Sequence, residues 1–414
     1  MERDLRLLSI GFAIRTFGAA LYNPFLALFL YAILHVGYLE IGVIFVGLGV
    51  IQLPFALVGG LWTDRVGRRR LIILGLATET ALTAALAYSF DIKSLILAIT
   101  VAAVGGCLLS ATGAAYSAYI ADWATGSERT RGFTWYRIAF NAGFAAGVAL
   151  GGTLVALIGF AGAVGVAATI IGGATVFVLI FLHPSPYDLG LRANATRPNE
   201  GWSLEPRKRS LRDSFSLLAR DRTALLVAFA FALVYMTASQ WNVTFALFVH
   251  NKMGISYSIL GIGLALNGLV VVFGQSFTTE RVIGLRHTTI GILGTFLYVV
   301  AFLLLGISAL WVLLPIGFFF LAVLILTFGE NLGSIPVSTL PSNLAPPGEV
   351  GAYNGGFNTV VSAGALAAVF LGGWVLSAVA NPLFEWMLLV VPAIPGMILL
   401  RYTSRRIPIK QDRA

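Results

Sequence analysis

Arg15, Glu79 and Glu330 each interrupt a long aliphatic and aromatic run, and Arg137 lies near the start of another. Ionisable groups in such surroundings are costly, and where they occur they face a protected interior or a water-filled path. A carboxyl group so placed is suited to gaining and losing a proton during a cycle. A guanidinium there can meet an anionic ligand or pair with a carboxylate of the same chain. Nothing for covalent chemistry accompanies them. The sequence contains no G-x-x-x-x-G-K-[ST], H-E-x-x-H, C-x-x-C or G-x-S-x-G pattern. Cys107 stands among small residues as a packing cysteine, and His35, His183, His250 and His287 share no helix face. The reading is proton and ion handling, with no enzyme activity, no metal and no cofactor.

The elements that must hold these charges are membrane spans. The chain has 414 residues, 58% in the hydrophobic set and 11% charged, with a mean hydropathy of +0.89. A soluble domain carries about 25% charged residues, so a soluble fold is excluded. A bilayer-crossing helix needs about 20 mostly apolar residues. That length places spans at 7–34, 40–62, 71–90, 95–121, 133–158, 161–183, 223–249, 257–278, 288–309, 312–340, 352–378 and 385–401. Six spans, a polar gap and six more make an all-α membrane protein of twelve transmembrane helices. The expected organisation is a six-helix bundle over 1–183, a linker over 184–222, and a second bundle with a short tail over 223–414. The linker contains Pro184, Pro186, Pro198 and Pro206 and the run Arg207-Lys208-Arg209.

Lys and Arg collect on the cytoplasmic side of short loops. Of the 27 in this chain, Lys93 and Lys252 lie on one side, and Arg15 and Arg137 lie within spans. All the rest fall in the two tails, the linker and the loops of the other side. The expected topology is therefore multi-pass in the cytoplasmic membrane with both termini inside. The net charge of +9 is then mostly an orientation signal near anionic lipid. Nucleic acid is not an expected partner.

The halves echo one another. Thr63-Asp64-Arg65-Val66 returns as Thr279-Glu280-Arg281-Val282, and Gly143, Gly147 and Gly151 return as Gly364, Ala368 and Gly372. Duplicated bundles with a binding region between repeats are a transporter architecture. Small residues four apart also let helices approach closely, so packing is the first reading of the glycine ladder.

The string Gly60-Leu61-Trp62-Thr63-Asp64-Arg65-Val66-Gly67-Arg68-Arg69-Arg70 resembles the signature loop of the major facilitator superfamily, G-x-x-x-D-R-x-G-R-R-R. The resemblance extends over nearly the whole chain through the twelve spans, the central loop and the degenerate second copy. It implies two pseudo-symmetric six-helix bundles and alternating access. It also implies a latch in which Gly60, Asp64, Arg65, Gly67 and Arg68 stabilise the outward-facing state, with Asp122 as the candidate partner. Within the superfamily the chain is most similar to the drug–proton antiporter branch. Gly143-x-x-x-Gly147-Val148-x-x-Gly151-Gly152 is close to that branch's G-x-x-x-G-P-x-x-G-G, with valine in the proline position. Gly329-Glu330 and Asp122 with Glu128-Arg129 also look like that branch, whereas 95–121 lacks the arginine many antiporters keep.

The activity so implied is proton-coupled efflux of lipophilic, cationic small molecules, with the proton gradient as energy source and the chain acting as a monomer. Glu330, about 27 Å along its helix at 1.5 Å per residue, leads the proton-coupling candidates, followed by Asp122 and Glu79. Glu79 lies about 12 Å into its helix, where a structural pairing with an arginine is an equal alternative. Arg15 either contacts substrate or pairs with Glu330 or Glu79. Arg137 either reaches the interface or pairs with Asp122. Asn23, Gln52, Tyr235, Gln240, Trp241, Asn242, Asn354 and Asn358 complete the candidate substrate cavity. Two rivals remain: a transporter of a polar or anionic metabolite bound by Arg15, and a non-transporting sensor or lipid-binding protein on the same scaffold.

Overall fold

The structure, a computed structural model, describes residues 2–123, 126–195, 218–310, 315–346 and 350–413. Among these the chain is helical throughout. Eleven stretches are long and apolar enough to cross a membrane. One of them lies in the helix Gly126–Phe181, which is broken at Gly159 (φ 72°, ψ 176°) and so supplies two spans. Only glycine reaches that backbone region without steric cost, and here one residue makes the whole turn between spans 5 and 6.

Span 1 is helical over Glu2–Ala20, turns through a 3-10 segment at Asn23–Phe25 and resumes over Leu26–Ala32. Spans 2, 3 and 4 are Tyr38–Val66, Arg68–Asp91 and Leu95–Trp123. After span 6 a short helix, Pro186–Ala195, opens the linker. Span 7 repeats the break of span 1: Arg222–Ala238, a 3-10 segment at Ser239–Trp241, then Thr244–Asn251. Pro24 in the first break forbids a continuous hydrogen-bond ladder. The second break has no proline and is held by side chains. Gln240 donates to the carbonyls of Met236 and Ala368 at 2.9 and 3.0 Å and accepts from Thr244 at 2.6 Å.

Spans 8 to 11 are Tyr257–Val282, His287–Ser308, Pro315–Leu344 and Val350–Ala378. Span 12, read from sequence as 385–401, runs from Pro382 to Val390 and from Ala393 to Ser404.

The chain divides into two compact units. One comprises Met1–Val36, Gly47–Leu204 and Ser256–Gly268; the other Gly37–Val46, Glu205–Ile255 and Leu269–Ala414. In the first unit, a Cβ on Gly143 would stand 2.5 Å from the carbonyl oxygen of Ala13, and Gly147 and Gly151 meet the carbonyls of Phe17 and Leu21 in the same way. The glycine ladder of span 5 thus seats the backbone of span 1. In the second unit, Gly364 meets Ala232 and Gly372 meets Gln240 and Thr244, so span 11 seats span 7.

Candidate functional site

In the first unit the two charges of spans 1 and 3 meet. Arg15 donates from Nε to Glu79 Oε2 at 2.9 Å and from Nη2 to Oε1 at 2.5 Å. Arg15 is 7% exposed, so the pair sits in a low-dielectric interior where a two-bonded fork is needed to offset desolvation. Aromatic rings enclose it. Phe12 stacks on Tyr136 at 4.1 Å and lies 5.0 Å from Tyr116 and 6.0 Å from the Arg15 guanidinium. Tyr22, Tyr116 and Tyr136 all stand within electrostatic reach of Arg15. Thr83, bonded to the Glu79 carbonyl at 2.7 Å, also holds Tyr22.

In the second unit Glu330 of span 10 is half-buried, within electrostatic reach of Tyr235 of span 7 and Tyr298 of span 9. Corresponding spans contribute to the two environments, 1, 3 and 4 in one unit and 7, 9 and 10 in the other, with Tyr136 of span 5 added in the first. One holds an arginine–glutamate pair beside tyrosines, and the other holds Glu330, also beside tyrosines.

At the basic end of the first unit, Gly67 (φ 93°) turns the chain into span 3. Arg68 reaches Asp122 with Nε at 3.3 Å, donates Nη1 to the Thr63 carbonyl at 2.7 Å and lies 3.7 Å over the Tyr187 ring. Ser185 donates to the same Asp122 oxygen at 2.8 Å. Asp188 accepts the backbone N–H groups of Arg68 and Arg69 at 2.6 and 3.1 Å. A carboxylate on the first turn of a helix satisfies orphan donors and complements the dipole. Arg65 is exposed. For Gly60 and Asp64 only the helical backbone is among the described residues, and the surroundings of Glu128 and Arg129 also lie outside them.

The second unit repeats this at span 9. Asp412 accepts the backbone N–H of Thr288 at 2.9 Å and its hydroxyl at 2.7 Å, and Arg286 stands 3.4 Å from the same carboxylate. Asp188 and Asp412 each follow the last span of their unit, and each caps that unit's third. Sequence reading missed both. Ser185-x-x-Asp188 carries a capping signal, with the Asp188 N–H bonded to Ser185 Oγ at 3.2 Å, but nothing local to Asp412 marks its partner. A second missed pair lies at the opposite end, where Lys252 reaches the fully buried Glu385 at 3.1 Å.

The other cavity candidates scatter. Gln240 is fully engaged in the span 7 break. Trp241 packs on Phe245 at 4.3 Å. Asn354 bonds Ser342 and the Val350 carbonyl, both at 2.9 Å. Asn23, Asn242, Asn358 and Arg137 are exposed, and Gln52 packs against Gly106.

Comparison with known proteins places this arrangement. A model of the Major Facilitator Superfamily matches residues 8–369. The chain is 26% identical over 408 residues to the uncharacterized MFS-type transporter YttB of Bacillus subtilis, covering 98% of this chain and 96% of that one. It is 25% identical over 367 residues to the class D tetracycline resistance protein of Salmonella ordonez, covering 86% and 85%. Among solved structures, a POT family transporter in complex with 5-aminolevulinic acid superposes with a TM-score of 0.76 at 14% identity, over 98% and 97% of the two chains.

Proposed function

The chain belongs to the Major Facilitator Superfamily, and from that premise we propose that it is a secondary transporter that exports lipophilic, cationic small molecules in exchange for protons. It is a multi-pass membrane transporter and not an enzyme. The proposal concerns its substrate, direction and coupling, and includes a place in the cytoplasmic membrane with both termini inside. It also includes the division into bundles over 1–183 and 223–414 joined by the 184–222 linker.

Two observations support the reading, the commitment of Arg15 and the aromatic surroundings of Glu330. Arg15, the cation that an anionic substrate would need, is already committed to Glu79 through both arms of its fork. Glu330 stands among aromatic rings, surroundings suited to a proton in one state and an organic cation in another. The tetracycline resistance relatives support an efflux role. Asp122 serves in this scheme as part of the Arg68 latch at the basic end, and Glu79 as the counter-ion of Arg15.

The test is purified protein in liposomes with a trapped pH-sensitive dye, an imposed proton gradient and a panel of lipophilic cations. Proton movement that depends on a cation and is lost in Glu330→Gln is the expected result. Movement with no cation of the panel, or movement unchanged in Glu330→Gln, overturns the reading.

A further inference from the structure

Residues 401–413 of the second unit are dense in positive charge. They include Arg401, Arg405, Arg406, Lys410 and Arg413 against a single acid, Asp412. That acid does not neutralise them, because it is wholly buried and turned inward onto Thr288 and Arg286. All five cations are exposed. Arg401, Arg405 and Lys410 make no side-chain hydrogen bond or ion pair among the described residues. Arg406 lies 4.5 Å over the Tyr402 ring, and Arg413 donates from Nε to the Gly284 carbonyl at 3.1 Å. Neither contact brings a negative charge. In the first unit, by contrast, Arg68 reaches Asp122, and Arg69 donates to the carbonyls of Leu182 and Leu179 at 2.5 and 2.8 Å.

The segment that carries these charges is a folded strap. Arg286 donates from Nη1 to the Ser404 carbonyl at 2.7 Å, and the His287 N–H donates to the Asp412 carbonyl at 2.6 Å. Asn343 donates to the Gln411 carbonyl at 3.1 Å. The Pro408 carbonyl accepts the N–H groups of Gln411 and Asp412 at 2.9 and 3.1 Å, which turns the strap back on itself. Ile407, 3% exposed, packs into the core cluster of Leu218, Leu340 and Tyr353. Each anchor lies at or beside the end of a span: the start of 9, the last turn of 10, and the starts of 7 and 11. The strap therefore runs along the level of the span ends, where lipid headgroups lie.

The chemistry of the outer face selects the partner. Lys and Arg next to the last turn of a span are attracted to an anionic bilayer surface, and a guanidinium can grip a phosphate with two parallel hydrogen bonds. Apolar side chains accompany the cations. Ile409 is 60% exposed, and Tyr402, in the last turn of span 12, is 45% exposed. A tyrosine and an aliphatic chain beside cations suit the boundary between acyl chains and headgroups. A soluble anion would meet the cations and leave Ile409 and Tyr402 in water.

We propose that the 401–413 strap is a docking surface for anionic lipid headgroups, and that bound lipid holds the strap onto the ends of spans 9 and 10. The five cations contact the phosphates, and Tyr402 and Ile409 form the apolar edge. The surface is independent of the substrate and coupling proposed above.

The test uses the full chain in detergent micelles containing equal amounts of dioleoylphosphatidylglycerol and dioleoylphosphatidylcholine, with retained lipid counted by native mass spectrometry. Wild type is expected to retain the anionic lipid over the neutral one by about tenfold or more. An Arg401→Gln, Arg405→Gln, Lys410→Gln triple variant removes only side chains that make no contact within the protein, and should lose about fivefold or more of that preference. A control triple, Arg70→Gln, Arg220→Gln, Arg222→Gln, changes the net charge equally at other exposed positions and should keep it. Equal loss in both triples would assign the preference to overall charge and overturn the proposal, as would no loss in the first. Glycerophosphoglycerol, the headgroup without its chains, is expected not to displace the lipid; displacement would make the strap a site for soluble anions and overturn the lipid assignment. The anionic lipid should also raise the melting temperature of wild type above that in the neutral lipid, but not that of the first triple. An equal rise in both would overturn the claim that bound lipid holds the strap.

Discussion

Arg15 and Glu79 lie 64 residues apart and meet through two hydrogen bonds inside the first unit, one from Nε and one from Nη2. The pair explains how spans 1 and 3 each tolerate a charge at membrane depth: neither charge is alone. Removing one member strands the other, a loss of about 3–5 kcal/mol for a buried pair. Arg15→Met or Glu79→Met should each lower the thermal stability of purified protein sharply. The double variant, in which both charges give way to apolar side chains, should be less destabilised than the two single losses added together. A double variant as unstable as that sum would mean that the residues do not act as a pair.

Asp188 and Asp412 do the same work at the N-terminal ends of spans 3 and 9. Loss of a capping side chain costs about 0.5–2 kcal/mol, and each of these also stands by an arginine, Arg68 or Arg286. Asp188→Ala and Asp412→Ala should each destabilise the protein within that range. The asparagine variants should recover part of the loss, since an amide oxygen can still accept. Unaltered melting in both alanine variants would show that solvent replaces the caps.

Lys252 and Glu385 form the third buried arrangement, with Glu385 wholly inaccessible and Lys252 one-quarter exposed along its side chain. Lys252→Met should destabilise by about 3–5 kcal/mol, because the carboxylate is then left without its counter-charge. Adding Glu385→Leu should restore much of that loss. Failure of the second change to restore stability would assign the lysine a role beyond neutralising Glu385.

The twelve spans were legible because hydropathy over about 20 residues is a strong, local signal. The loop from Gly60 to Arg70 was legible because its glycines and arginines crowd into eleven consecutive residues. The Arg15–Glu79 pair was visible only as one of several possible pairings, since spacing along separate helices does not fix which faces meet. Asp188 and Asp412 were missed for a related reason. Each lies in a polar segment where an aspartate attracts no notice, and its partner is a backbone more than one hundred residues earlier. The cavity list fared differently again. Gln240 holds a helix break together and Asn354 ties down a helix end, and an amide bonded within its own bundle reads the same in sequence as one reserved for a ligand.

Gly159 joins spans 5 and 6 without a loop, and that leaves the chain no slack at this corner. Span 5 is keyed through its glycines onto the carbonyls of span 1, so a shift of span 1 is handed to span 5 and, through a single residue, to span 6. Three helices of the bundle are thereby geared together. The corresponding corner of the other unit, between Ala378 and Pro382, has three residues of play. An inserted residue should be borne far better there than beside Gly159, where it would rotate an entire helix out of register.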